Sequence, residues 1–153
     1  MPPLELRVPP PAVMLTAVLL MALLDRLLPG AAWRLPSHWG VAAALALLGV
    51  AVALTGVLAF RRAQTTVSPL APERATALVT TGVYARSRNP MYLGLLLMLA
   101  GWGTYLGHAA AWLLLPAFVV YMNRYQIRPE ERALQARFGA AYTAYAQRVR
   151  RWV

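Results

Sequence analysis

Four apolar runs divide the chain: about Ala12 to Leu28, Trp39 to Phe60, Met91 to Leu106 and Ala109 to Tyr125. A bilayer core about 30 Å thick takes roughly 20 apolar residues at about 1.5 Å each. The second run meets that length, and the other three reach it with flanking residues. Only Gly107 and His108 part the third run from the fourth, which predicts a tight helical hairpin with its tip near the far face. Beyond the fourth run, Leu134, Phe138, Tyr142, Tyr145, Val149 and Trp152 recur at intervals of three and four. Arg132, Gln135, Gln147, Arg148 and Arg150 occupy the other side. This predicts one basic amphipathic helix in the headgroup layer, weakened locally at Gly139. The expected fold class is all-α, a polytopic membrane protein with about four transmembrane helices plus a C-terminal amphipathic interfacial helix. A single integral-membrane domain is expected over residues 1–153, with two N-terminal spans in 1–60 and a second part, 61–153, holding a cap loop, the hairpin and the tail helix.

Composition points the same way. The chain is 59% hydrophobic and 13% charged, against about 45–50% and 25% in soluble domains. That excludes a soluble globular enzyme and a disordered chain. There is no cysteine, hence no disulfide framework, thiolate metal site or cysteine nucleophile. Two histidines, His38 and His108, make no metal cluster, and no metal is expected.

The net charge is +10 and every basic residue is arginine. Such a charge fits nucleic acid or a membrane surface. Arginines set between long apolar runs favour the membrane, and no nucleic-acid motif is visible. Arg61, Arg62, Arg74, Arg86 and Arg88 fall between runs two and three. Arg124, at the end of run four, and Arg128, Arg132, Arg137, Arg148, Arg150 and Arg151 after it lie beyond the hairpin, whereas only Arg26, at the end of run one, and Arg34 lie by the connection of runs one and two. Both termini are therefore expected in the cytoplasm, and in a bacterium the protein in the inner membrane. The first run, with Arg7 before it and Ala31-Ala32 after it, also has the layout of a signal peptide; the spans that follow favour an uncleaved helix.

The connection from about Arg61 to Asn89 contains Pro69 and Pro72 and has no sustained period. Loops this long are usually functional or disordered. Leu78-Val79 and Val83-Tyr84 are apolar enough to pack. Two readings stand: a loop on the membrane surface, or a folded cap over a site. Next, in Arg86-Ser87-Arg88-Asn89-Pro90-Met91-Tyr92-Leu93-Gly94, Asn89 suits a helix N-cap and Pro90 the first helical position. A helix N-terminus with arginines binds carboxylates, and aromatic faces such as Tyr84 and Tyr92 bind sulfonium or ammonium groups. The plainer reading is a span beginning at the membrane interface. In Arg128-Pro129-Glu130-Glu131 the acids suit a helix's first turn, or one carboxylate turns inward to a ligand ammonium or hydroxyl.

The run Leu78-Val79-Thr80-Thr81-Gly82-Val83-Tyr84, followed by Arg88-Asn89-Pro90-Met91-Tyr92-Leu93-Gly94, resembles the isoprenylcysteine carboxyl methyltransferase family. A second block, Glu130-Glu131, Leu134, Phe138-Gly139, Tyr142, Tyr145 and Val149, follows at the family's distance. The resemblance covers about Thr65 to Trp152 and makes 61–153 a methyltransferase-like module. Phospholipid N-methyltransferases and a group of membrane sterol reductases share a related module. The resemblance implies an integral-membrane methyltransferase that uses S-adenosylmethionine, releases S-adenosylhomocysteine, and takes a lipophilic or small acceptor from the bilayer. It implies cofactor contacts at Thr76, Ala77, Leu78, Val79, Tyr84, Asn89, Pro90, Met91, Tyr92 and Glu130. Where eukaryotic members have an arginine on the prenylcysteine carboxylate, this chain has Gln126, flanked by Arg124 and Arg128; these three are its candidates for orienting the substrate. The acceptor group, a carboxylate, amine, thiol or hydroxyl, stays open, as does the oligomeric state. Gly49 and Gly56 suit close helix contact, either within the bundle or between copies.

Methyl transfer from a sulfonium needs alignment and a dry nucleophile more than an acid–base dyad, so the composition is no obstacle. The alternatives are an NADPH-dependent reductase built on the related module and a non-enzymatic membrane protein. No strand with a glycine-rich dinucleotide fingerprint is present, which excludes a soluble Rossmann-type methyltransferase.

Overall fold

Three of the apolar runs fold as continuous helices: α1 (Pro10–Leu27), α2 (His38–Arg62) and α3 (Pro90–Leu106). The computed structural model describes residues 5–32, 38–65 and 70–153; Arg34 and Pro69, used above, lie outside them. Proline opens α1 and α3, where its missing N–H would have had no helical partner. Gly107 ends α3 at φ 59° and ψ 41°, the left-handed conformation that glycine takes without a Cβ clash. The chain then turns back at His108, forming the expected hairpin.

Its second arm is not one regular helix. Pro116 has no N–H to offer the carbonyl of Trp112 and crowds it. The run accordingly divides at Leu113 into α4 (Ala109–Trp112) and α5 (Leu114–Met122). A π-helical turn, Asn123–Ile127, then leads directly into α6 (Arg128–Phe138).

The tail corrects an expectation. It is two helices, α6 and α7 (Ala140–Arg148), broken at Gly139 with φ 51° and ψ −122°. Side-chain-bearing residues rarely adopt that conformation. Nor does its apolar stripe face lipid headgroups. Tyr142, Tyr145 and Val149 are buried in a cluster with Leu78, Leu134 and Phe138. Leu78, from the connection between α2 and α3, packs against this stripe.

No strand occurs among the described residues, only the isolated bridge Ala32–His108. Two helices, α1 and α2, are long and apolar enough to cross a membrane; α3 is apolar but shorter. Only 17% of the most apolar 18-residue stretch of either helix is buried, unlike the core helices of soluble proteins. Leu15, Leu19, Leu23 and Leu27 stand exposed every four residues along α1, and Leu47, Leu54 and Leu58 are exposed on α2. Outward apolar surface on this scale suits lipid rather than water.

Inside, α1, α3, α5 and the π turn share a core of Met21, Leu99, Phe118, Met122 and Ile127. Trp102 Nε1 donates to the Val18 carbonyl at 3.2 Å. Buried His108 donates from Nε2 to the Leu28 carbonyl at 2.8 Å and ties the hairpin tip to the end of α1. At the opposite end the Leu6 N–H meets the Tyr125 carbonyl at 3.0 Å, and Glu5 pairs with Arg132 at 2.6 Å.

The pairing of α2 with α3 rests on small residues seven apart. Ala42, Gly49 and Gly56 are the buried residues of α2. A Cβ on Gly49 would fall 2.6 Å from the Gly94 carbonyl oxygen, and one on Gly101 2.8 Å from that of Ala42. Gly56 likewise lies against Met91. The two glycines noted in the sequence are thus used within the chain, bringing two backbones together.

Candidate active site

One turn beyond Gly56 the small residues of α2 give way to Phe60, and a cleft begins. One wall is the cap loop, through Ala75, Ala77, Leu78, Val79 and Tyr84. Another is the start of α3, through Arg88, Asn89, Met91 and Tyr92. The first turns of α6 supply Glu130, Glu131 and Leu134, and α7 supplies Tyr142 and Tyr145.

Tyr84 sits on a short 3₁₀ turn, Gly82–Ala85, with its ring edge-on to Phe60 at 5.1 Å. Its carbonyl accepts from Tyr145 Oη at 2.8 Å. Its own hydroxyl is buried without a partner. Burial, then the neighbouring Tyr145 and Glu130, hold that hydroxyl protonated far above its ordinary range. Burial also pushes Tyr142 up, to about 12. Arg88 reaches Glu131 with Nη2 at 3.2 Å, while its Nε is buried and unpartnered.

The two adjacent acids have different surroundings. Glu130 Oε1 accepts from Tyr92 Oη and from Gln126 Nε2, the latter at 2.8 Å. Burial raises the Glu130 pKa to about 7, the Tyr92 and Gln126 hydrogen bonds act against that rise, and Glu131 adds to it. Glu131 is not the free helix-terminal charge its position suggested. Arg151 grips it through both carboxylate oxygens at 3.0 and 2.6 Å, and Arg88 joins the pair. The hydrogen bond to Glu131 in turn raises the Arg151 pKa.

Asn89 also departs from expectation. It precedes α3 but makes no side-chain cap. Its Nδ2 donates instead to the Arg151 carbonyl at 2.9 Å, beside an Arg88 N–H to Arg150 carbonyl bond of 3.0 Å. The C-terminal segment is thereby strapped to the residues that lead into α3. Trp152 Nε1 adds a bond to Asn123 Oδ1 at 3.1 Å.

Of the residues singled out in the sequence, Ala77, Leu78, Val79, Tyr84, Asn89, Met91, Tyr92 and Glu130 line this one cleft. Thr76 is exposed and bonded to Thr65 and Gln64. Pro90 is buried in the first turn of α3. Gln126 is buried behind Glu130. Arg124 and Arg128 are exposed, Arg124 lying over the Tyr125 ring at 5.8 Å, and neither lines the cleft. Arg86 is exposed as well, so Arg88 is the arginine of that motif that reaches the cleft. Sequence reasoning missed Phe60, Tyr142 and Tyr145 as lining residues. The tyrosines carried a signal, their helical spacing, but it pointed equally to lipid.

The bundle thus has two helices of membrane-crossing length and, at one end, a largely apolar cleft into which a few charged and hydroxyl groups reach. The phospholipid methyltransferase family matches residues 38–141, and the chain belongs to that family. The match takes in α2, upstream of the stretch on which the sequence resemblance rested. A protein of Haemophilus influenzae described as uncharacterized is 46% identical over 63 residues, covering 41% of this chain and all of that protein. Protein-S-isoprenylcysteine O-methyltransferase B of Arabidopsis thaliana is 31% identical over 121 residues, which is 75% of this chain and 60% of the plant enzyme. No solved structure matches.

Proposed function

We propose that this protein is an integral-membrane methyltransferase that holds S-adenosylmethionine in the cleft between cap loop, α3, α6 and α7. The observation that carries the reading is a pair of orphaned donors. Tyr84 Oη and Arg88 Nε are buried, unpartnered and on the wall of a cleft that also presents the Glu130 carboxylate. Buried polar atoms without partners are rare and ask for a ligand. Donors on one side and a carboxylate on another complement a molecule with both a carboxylate and an ammonium. The tyrosine and phenylalanine rings suit a sulfonium. When bound, the cofactor supplies an electrophilic methyl group. The protein's residues bind and orient: Arg88 and Tyr84 offer donors, Glu130 an acceptor, and the cap loop with α7 excludes water. The donors of the cleft thus fit the group the family uses.

In this reading the whole chain is one integral-membrane domain of four spans, α1, α2, α3 and the α4–α5 arm. The cleft and both termini are cytoplasmic, as the arginine distribution supports. The acceptor is a lipophilic or small membrane-accessible molecule that reaches the cleft from the bilayer. The family membership favours methyl transfer over the reductase alternative.

Calorimetry in detergent with S-adenosylhomocysteine against NADPH tests the reading. S-adenosylhomocysteine binds, and Glu130→Gln weakens it by about 1.5–3 kcal/mol, roughly ten- to more than a hundredfold. Binding of NADPH with none of S-adenosylhomocysteine overturns it.

A further inference from the structure

Gln126 sits where the resemblance suggested a substrate-orienting residue, yet its surroundings point elsewhere. It is 2% exposed and does not line the cleft. It lies on the π-helical turn Asn123–Ile127, an irregularity that re-aims the residues after it and is frequent at functional sites. Its Nε2 donates to Glu130 Oε1, the same oxygen that accepts from Tyr92 Oη. Two donors on two elements, the π turn and α3, thus converge on one carboxylate oxygen at the cleft.

We propose that Gln126 and Tyr92 are positioning residues for Glu130: together they fix its carboxylate at the cleft and keep it charged for a cationic group of the ligand. The inference rests on the methyltransferase reading and replaces substrate contact by Gln126 with action through Glu130. Burial works against an ionised Glu130, and these two hydrogen bonds oppose burial. Losing one of them leaves the carboxyl protonated over more of the neutral range. A ligand that needs the carboxylate then sees only the ionised fraction of the protein. The other titratable and charged groups at the cleft are Tyr84, Tyr92, Tyr142 and Tyr145, and Glu131 paired with Arg88 and Arg151.

The test is S-adenosylhomocysteine affinity from pH 5.5 to 9 for wild type and Gln126→Met, taken as a ratio at each pH so that the ligand's own titration cancels. The expected result is a midpoint moved up by about one pH unit, with a loss of about fivefold at pH 7 that is largely regained at pH 9. Tyr92→Phe removes the other donor and moves the midpoint the same way, which covers a Gln126 variant that fails to fold. A loss equal at every pH, or no loss, overturns the proposal. A second readout needs no ligand: the infrared carboxyl band that Glu130→Gln abolishes must titrate at higher pH in Gln126→Met. If wild type binds no S-adenosylhomocysteine but the band shifts, the methyltransferase reading fails and the positioning role stands. A band that does not shift overturns the positioning role.

Discussion

The α2–α3 seam and the cleft beneath it are built from the same two helices by opposite rules. Along the seam Ala42, Gly49 and Gly56 meet Gly101, Gly94 and Met91 so closely that a Cβ on Gly94 would stand 2.5 Å from a carbonyl oxygen. Polar side chains have no room there. In the cleft the wall residues are large, Phe60, Tyr84, Tyr92, Tyr142 and Tyr145, and they hold the elements apart around charged groups. The seam spends its residues on rigidity and the cleft on unmet polar capacity. A rigid seam lets the cleft keep unpartnered donors, because the helices carrying its walls cannot collapse onto them.

The comparison breaks most readily at Gly94. Gly94→Val drives side-chain atoms into Gly49 and Ala53. Backbone on the facing helix cannot move aside, so the expected loss is about 3 kcal/mol or more. Thermal unfolding in detergent should show a much lower melting temperature together with lost ligand binding. A variant that melts like wild type would mean that the seam is not tight.

A smaller effect separates the two acids. Glu131→Gln leaves Arg88 and Arg151 without their shared partner. These groups are partly exposed, so a stability loss of about 1 kcal/mol is expected. Glu130→Gln acts through pH instead. Because the folded-state pKa of Glu130 is about 7 rather than 4.5, the folded protein holds a proton that the unfolded chain has released. That contribution is full below about pH 4.5 and is lost as pH rises to about 7. Melting temperature against pH should therefore fall less steeply across that window in Glu130→Gln than in wild type. The least effect is expected at Arg128. It is exposed and outside the cleft, so Arg128→Gln should change stability by less than about 0.5 kcal/mol and leave ligand affinity unchanged. A loss of affinity there would return Arg128 to the site.

Much of the helical framework was legible, because apolar length and arginine placement are local properties of the chain. The glycines at 49 and 56 announced close contact, but the partner was readable only once α3 was seen beside them. Pro116 stood in plain view inside a run taken as continuous, and its cost to the Trp112 carbonyl is local chemistry that apolar counting ignores. The roles of Asn89 and Glu131 were not legible. Both are decided by Arg151, from a segment distant in sequence, and a cap or helix-dipole argument considers only neighbours. For Tyr142 and Tyr145 the spacing was correct and the partner wrong, since a stripe says that something covers it without saying what.

The strap of residues 149–152 bears on how the protein is made. Everything from Phe60 to Leu134 that lines the cleft leaves the ribosome before Tyr142, Tyr145 and the arginines that lock onto Arg88, Asn89 and Glu131. A nascent chain can insert its apolar helices early and zip α2 to α3 while the cleft still lacks a wall. Competence to hold a small molecule is then acquired only after Tyr145 and Arg151 have been made. A chain stalled before Tyr142 would have the α2–α3 seam but lack one wall of the cleft.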